Sequence, residues 1–323
     1  MACSAIPDFF LIGAPKCGTT ALYSYLKGHP NVYAPAKELH FFSTDFPNYG
    51  RVKSKEEYTA LYRDRSSRDQ LKGEASVFYL FSEVAVAKIM RANPRAKMVV
   101  MLRDPVDMVQ ALHWQKLHSM DEDEADFETA WRLQETRGRG QCLPTGCREP
   151  KHLQYRRVCS FADQLRRLYD AVPDDQRQVL IYEEFAAEPM LAYRNCLAFL
   201  GLDDDGRTEF GRVNASHQWR WRGVMSLLKS VKKSDPYMAA KTMANAVGLT
   251  PGLAVKRLNK VERKRPGISQ ELRQELIACF ADDVAETERL LGRELPWQRL
   301  SSSTGQKDRT NKEFHNPSDR DFL

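Results

Sequence analysis

Residues Asp8–Leu22 read Asp-Phe-Phe-Leu-Ile-Gly-Ala-Pro-Lys-Cys-Gly-Thr-Thr-Ala-Leu: an apolar strand, a glycine-bearing turn, and the opening of a helix. A short loop in that setting points backbone N–H groups and the positive end of the helix dipole at one place, where an anion is held. The stretch is a phosphate cradle, and it commits the chain to a strand–loop–helix unit at its start.

The loop departs from the usual nucleotide-triphosphatase pattern, G-x-x-x-x-G-K-[ST]. Gly13 and Gly18 keep the glycine spacing, but Thr19 fills the lysine position and Lys16 lies inside the loop. A lysine there lies against the leaving oxygen of a nucleotide rather than straddling a β,γ pair, which suits transfer from a nucleotide with one 5′ phosphate. The plain alternative is an ordinary strand–turn–helix with a chance lysine.

Pro15-Lys16-Cys17-Gly18-Thr19-Thr20 resembles the 5′-phosphosulfate loop of sulfotransferases that use 3′-phosphoadenosine 5′-phosphosulfate (PAPS). His29-Pro30-Asn31-Val32 and Lys37-Glu38-Leu39-His40-Phe41-Phe42 are similar to the HP-x-V and E-x-HFF stretches of the heparan sulfate branch and its bacterial relatives. Gly73–Tyr79 resembles that branch's E-K-[ST]-P-x-Y segment, Val99–Pro105 its 3′-phosphate strand and turn, and Glu262–Ile268 its basic loop over the cofactor. The resemblance runs in order from Asp8 to Trp297. It implies a sulfotransferase fold: an α/β, P-loop-like parallel sheet flanked by helices. It further implies PAPS as donor, released as PAP, with no metal, and an acceptor hydroxyl on a carbohydrate or glycolipid.

Carried over residue by residue, the resemblance makes Lys16 and Glu38 catalytic, Glu38 as general base, with His113 and His40 as rival bases. Cofactor binding falls on Pro15, Lys16, Cys17, Gly18, Thr19, Thr20, Arg103, Ala111, Arg263, Lys264 and Arg265. Three positions depart from the pattern: Ala75 replaces a lysine, Met108 an arginine, and Ala111 a serine that bonds the 3′ phosphate. Without that serine, Arg103 must share the phosphate with Arg263, Lys264 and Arg265. The change at Ala75 is frequent in bacterial members and points to a bacterial enzyme.

With 323 residues, 42% of them hydrophobic, the chain can bury a sizeable core, and one domain is expected over residues 1–300. The net charge of +6 and pI of about 8.9 suit an anionic ligand. Nucleic acid is not expected, since no helix-turn-helix or zinc-finger spacing occurs. No apolar run of about eighteen residues is present, so no transmembrane segment is expected. Met1–Pro7 lacks the basic-then-apolar pattern of a leader. Seven cysteines without a repeating pattern read as reduced thiols, which places the protein in the cytoplasm; Cys142 and Cys147 are candidates for a bridge or a metal pair.

Apolar spacing predicts strands at Phe9–Gly13, Lys97–Leu102 and Arg177–Tyr182. Helices are expected at Thr19–Lys27, Glu56–Arg63, Ser82–Ala92, Val106–His118, Asp126–Thr136, Leu153–Ala171 and Met190–Leu200, the last ending at Gly201. Alternating strands and helices imply a parallel sheet with its ligand at the carboxyl ends of the strands. Lys16 and Arg103 each follow a strand and are expected at that edge. Trp219-Arg220-Trp221-Arg222, with Lys229, Lys232 and Lys233, is either an acceptor-gripping segment or a solvated helix face. Residues 301–323 read as a polar, disordered tail.

Two other functions remain open. A nucleotide kinase would need a lysine after Gly18 and a magnesium-binding carboxylate after a strand; Asp104 follows one, but before Pro105 it reads as a turn former. A catalytically dead nucleotide-binding protein would explain Ala75, Met108 and Ala111, against the joint presence of Lys16, Glu38 and Arg103.

Overall fold

The computed structural model describes residues 6–35, 37–63, 70–211, 217–219, 260–262 and 267–299. Arg263, Lys264, Arg265, the Arg220–Arg222 and Lys229–Lys233 segments, and the expected tail lie outside the described residues.

In order, the elements are β1 (Phe9–Gly13), α1 (Thr19–Lys27), β2 (Val32–Tyr33), α2 (Lys55–Arg63), β3 (Leu71–Ala75), α3 (Ala85–Ala92), β4 (Lys97–Leu102), α4 (Pro105–Ser119), α5 (Phe127–Arg132) and α6 (Gln134–Gly138). They continue with α7 (Tyr155–Cys159), α8 (Ala162–Ala171), β5 (Arg177–Ile181), α9 (Tyr182–Ala187), α10 (Pro189–Leu200), β6 (His217–Trp219), β7 (Lys260–Glu262) and α11 (Gln270–Leu291). Five strands pair in parallel in the order β2-β3-β1-β4-β5, and β6 pairs antiparallel with β7.

β1 is buried along its whole length and β4 along all but its first residue, as befits strands covered on both faces. The chain leaves β1 toward one side of the sheet and returns at β4 on the other. The crevice beyond the carboxyl ends of β1 and β4 is therefore a topological switch point, the usual ligand position in open α/β sheets.

Local chemistry fixes the helix nearest that crevice. Asp104 caps α4, its side chain accepting from Val106 N at 2.8 Å, and Pro105 fills the first helical position. The other oxygen of Asp104 accepts from Gln298 N at 2.8 Å. Both carboxylate oxygens are thus committed to backbone donors, which is the turn-forming role read from the sequence rather than that of a metal ligand.

Several boundaries differ from expectation. β2, β3, α9, α11 and the β6–β7 pair have no counterpart among the expected elements, α3 starts at Ala85 rather than Ser82, and Tyr182 opens α9 instead of ending β5. The helix expected over Asp126–Thr136 is two short helices, α5 and α6. The long helix expected over Leu153–Ala171 is broken into a 3-10 turn at Pro150–Leu153, α7 and α8. The break has a tertiary cause: Asp283 of α11 accepts from Phe161 N at 2.7 Å and Ala162 N at 3.0 Å, capping α8 from another helix.

Candidate active site

The Gly13–Thr20 loop has no room for side chains at its glycines. A Cβ on Gly13 would lie 2.9 Å from Val77 O and 2.9 Å from Leu80 Cβ. Gly18 is left-handed at φ +85°, and a Cβ there would lie 2.9 Å from Tyr182 Cδ2. Ala14 N donates to Met101 O at 2.7 Å and binds the loop to β4. Cys17 points inward: its Sγ lies 3.4 Å from Pro15 O and 3.6 Å from Met108 Sδ. Burial pushes its thiol well above the usual range, so it packs rather than reacts. Met108, an unexpected residue by the resemblance, is the partner that fills this space.

Lys16, exposed at the tip, holds φ +67°. Its carbonyl accepts from Arg103 Nη1 at 3.5 Å, so the residues after β1 and β4 meet as expected. The Arg103 guanidinium stacks 4.5 Å from the Tyr182 ring centroid and reaches Asp107 Oδ2 at 3.4 Å. Its buried Nε has no partner among the described residues. Sequence reading missed Tyr182, because it lies far along the chain and was assigned to a strand.

The base candidate lies on the loop before α2. Glu38 N donates to Ala75 O at 2.7 Å, which lays this loop along the end of β3. The half-exposed Glu38 carboxylate accepts from His40 Nε2 at 2.8 Å and Val77 N at 3.3 Å, and Lys37 Nζ stands 3.4 Å from its other oxygen. Burial raises the pKa of Glu38. The His40 hydrogen bond and charge, Lys37 and the Val77 N–H outweigh it and hold the carboxyl below its usual range. Since a carboxylate only accepts, His40 is the donor in this bond, through Nε2–H. His40 is 3% exposed, and its Nδ1 has no partner among the described residues.

Glu38 and His40 hold φ of +59° and +52°. With Lys16, three of the five described non-glycine residues in this strained region therefore stand at the candidate site. No sequence signal announces this.

Beneath the site Glu74 is fully buried on β3, accepting from Ser76 Oγ at 2.6 Å, Tyr79 OH at 2.8 Å and, over a short contact, Tyr58 OH. Burial drives its carboxyl up to about 7 despite those bonds, with Glu38 adding to the rise. Ser76 Oγ in turn accepts from His40 N at 3.0 Å, so Glu74 supports the base loop from below.

His113 is placed elsewhere. It is 3% exposed, with Nε2 2.9 Å from Glu124 O and its ring against Phe127 and Tyr155. Burial lowers its pKa. Ala111 is buried on the same helix. The structure thus gathers Pro15–Thr20, Arg103 and Glu38 around one edge and leaves His113 in a packed contact with α5 and α7. Cys142 and Cys147 are both free thiols.

Residues 6–215 match the sulfotransferase domain family, and the chain belongs to that family. The matched range stops short of the expected basic loop at Glu262–Ile268. A sulfotransferase crystal structure from Alicyclobacillus acidocaldarius superposes with a TM-score of 0.65 at 28% identity, covering 90% of this chain and 97% of that one. Among curated relatives, the membrane-associated sulfotransferase kil1 of Dictyostelium discoideum is 33% identical over 32% of this chain and 21% of its own length. Heparan sulfate glucosamine 3-O-sulfotransferase 3B1 of Mus musculus is 34% identical over 31% of this chain and 24% of its own length. The chain therefore spans less than a quarter of each of these two curated relatives. No described helix is long and apolar enough to cross a membrane.

Proposed function

We propose that this chain transfers the sulfuryl group of PAPS to an acceptor hydroxyl on a carbohydrate or glycolipid. The observation that carries the reading is the meeting of Lys16 and Arg103 at the strand ends, with an ionised carboxylate, Glu38, on the adjoining loop. The fit to a bisphosphorylated nucleotide rests on two features: a loop that excludes Cβ atoms at Gly13 and Gly18, and a buried Arg103 Nε that has no partner among the described residues.

PAPS supplies an activated sulfuryl group on a phosphate leaving group. The backbone N–H groups of the loop, with Thr19 and Thr20, hold the 5′ phosphate, and the Lys16 ammonium neutralises charge growing on the bridging oxygen. Arg103 holds the 3′ phosphate, shared with Arg263, Lys264 and Arg265. Glu38 accepts the proton of the acceptor hydroxyl as its oxygen bonds to sulfur and the sulfur–phosphate oxygen bond breaks. His40 orients that carboxylate through Nε2. Positioning and electrostatics supply most of the rate, and no step requires a metal.

The heparan sulfate relatives support a glycan acceptor. A cytoplasmic setting is part of the proposal, supported by six described cysteines that are all free thiols. PAP should raise the melting temperature more than ATP with magnesium does, because a ligand selective for the native state stabilises it. The reverse order would favour a kinase. Incubation with labelled PAPS and a panel of glycans, glycolipids and small alcohols, read by mass, identifies the acceptor; PAP binding without any sulfated product across that panel would favour the inactive nucleotide-binding reading.

A further inference from the structure

Lys37 stands between the two halves of the site. Its Nζ donates to Thr20 Oγ1 at 2.6 Å, on the first turn of α1, and lies 3.4 Å from Glu38 Oε1. Its backbone is fixed from two sides: it bridges to Ala75 at the end of β3, and its carbonyl accepts from Arg51 Nη1 at 3.2 Å. The side chain is 18% exposed. A lysine serving solubility would extend into water. This one is folded back to span the donor loop and the base.

Building on the sulfuryl-transfer reading, we propose that Lys37 is a positioning residue that yokes the Glu38 carboxylate to the donor loop through Thr20. Glu38 is then held at both ends, Oε2 by His40 and Oε1 by Lys37, which fixes the direction of its free lone pairs relative to the loop. Without Lys37 the carboxylate would be held through Oε2 only, by His40 and the Val77 N–H, and Oε1 would be left to swing about that end. Lys37 also adds a cation to Lys16 and Arg103 along the same edge, so a dianionic nucleotide end meets positive charge from the loop, from β4 and from the base loop.

The groups facing Glu38 are Lys37 and His40 on its own loop, the Val77 N–H and Glu74 from β3 and the turn after it, Tyr23 from α1, and Tyr49 from the segment before α2. Of these, His40 and Lys37 pull the carboxyl down through charge. Burial lowers the pKa of Lys37 itself, and Glu38 opposes that shift. Loss of Lys37 must therefore move Glu38 upward.

The test is the Glu38 side-chain carboxyl titration, followed by carbon NMR in the wild type, Lys37→Met and Lys37→Arg, beside the PAP dissociation constant and the pH profile of kcat. Lys37→Met should raise the Glu38 midpoint, move the acid limb of kcat to higher pH, lower kcat at least tenfold and weaken PAP several-fold. Lys37→Arg keeps the charge and reach and should restore the Glu38 midpoint while recovering part of kcat. Melting temperatures of both variants separate these effects from a loss of fold. A wild type that does not bind PAP defeats the sulfotransferase reading and this inference with it. A wild type that binds PAP, beside a folded Lys37→Met variant with an unmoved Glu38 midpoint, overturns the inference alone.

Discussion

Gly18→Ala is a small change with a calculable cost. Gly18 stands at the N-cap of α1 with φ +85° and ψ 0°, a left-handed conformation that costs an alanine about 1–2 kcal/mol. The added methyl would also lie 2.9 Å from Tyr182 Cδ2 and 3.2 Å from Met101 Cε, so the Tyr182 ring must retreat. That ring is the platform on which Arg103 lies at 4.5 Å, a contact worth about 0.5–2 kcal/mol. Two separable losses follow. Stability should fall by the backbone term, lowering the melting temperature by about 2–3 °C in a chain of this size, and PAP affinity should fall by about tenfold as Arg103 loses its platform. Scanning calorimetry and isothermal titration with PAP measure the two. Tyr182→Phe, which keeps the ring, should leave PAP affinity within about twofold of the wild type, a free-energy change well below that of the lost stack. Gly18→Ala with wild-type melting and wild-type PAP affinity would refute both the strain and the coupling from loop to Tyr182 to Arg103.

Lys16→Ala should reduce kcat by about 10²–10³, the scale of losing one electrostatic donor to the transition state, and Lys16→Arg should recover little of it; wild-type turnover in Lys16→Ala would sink the loop assignment. Glu38→Gln should lower kcat by about 10² or more with PAP binding nearly intact, whereas His113→Ala should cost stability and leave kcat close to wild type, because its Nε2 is engaged by Glu124 O. The opposite pattern makes the histidine the base. Glu74 titrates at about 7 in the folded protein against an ordinary 4.5, so between those values the native state binds the extra proton and stability falls as pH rises. Denaturant unfolding at pH 5 and pH 8 should show that decline in the wild type and a flatter one in Glu74→Gln; equal slopes would place the titration elsewhere.

The donor loop was legible because its chemistry is local: Gly13, Lys16 and Gly18 sit within one turn, and β1, α1 and β4 have the expected boundaries. β3 was not, for it reads Leu-Lys-Gly-Glu-Ala, a poor strand by composition. Its polarity is answered by the fold: the Lys72 backbone N donates to distant Asp8 Oδ2 at 2.8 Å, and Glu74 takes hydroxyls from Tyr58 and from nearby Ser76 and Tyr79. Gly73 is required there because a Cβ would fall against the Phe9 ring. The same limit applies at the site. Glu38 could be singled out from its motif, which also carries Lys37 and His40, but the contacts that tie this loop to the rest of the site could not, since Thr20 meets Lys37 and Val77 meets Glu38 only once the sheet has formed. The Leu153–Ala171 periodicity gave no hint of its break because the cap is supplied by Asp283, more than a hundred residues later.

Asp104, next to Arg103, accepts from Gln298 N at 2.8 Å, while Glu183 receives Asp104 N at 3.1 Å and Trp297 Nε1 at 3.1 Å. The turn that presents Arg103 is thus fastened by residues that are among the last to be synthesised of those described. On the ribosome, the sheet strands emerge long before these donors, so β4 and β5 can pair while both carboxylates still lack them. A nascent chain halted after residue 215 would carry the whole segment matched by the family and the Asp104–Glu183 bond, and yet lack the two donors that complete the turn. The turn that carries Arg103 therefore reaches its full set of bonds late in the life of the chain, with the arrival of Trp297 and Gln298 rather than with the completion of the sheet.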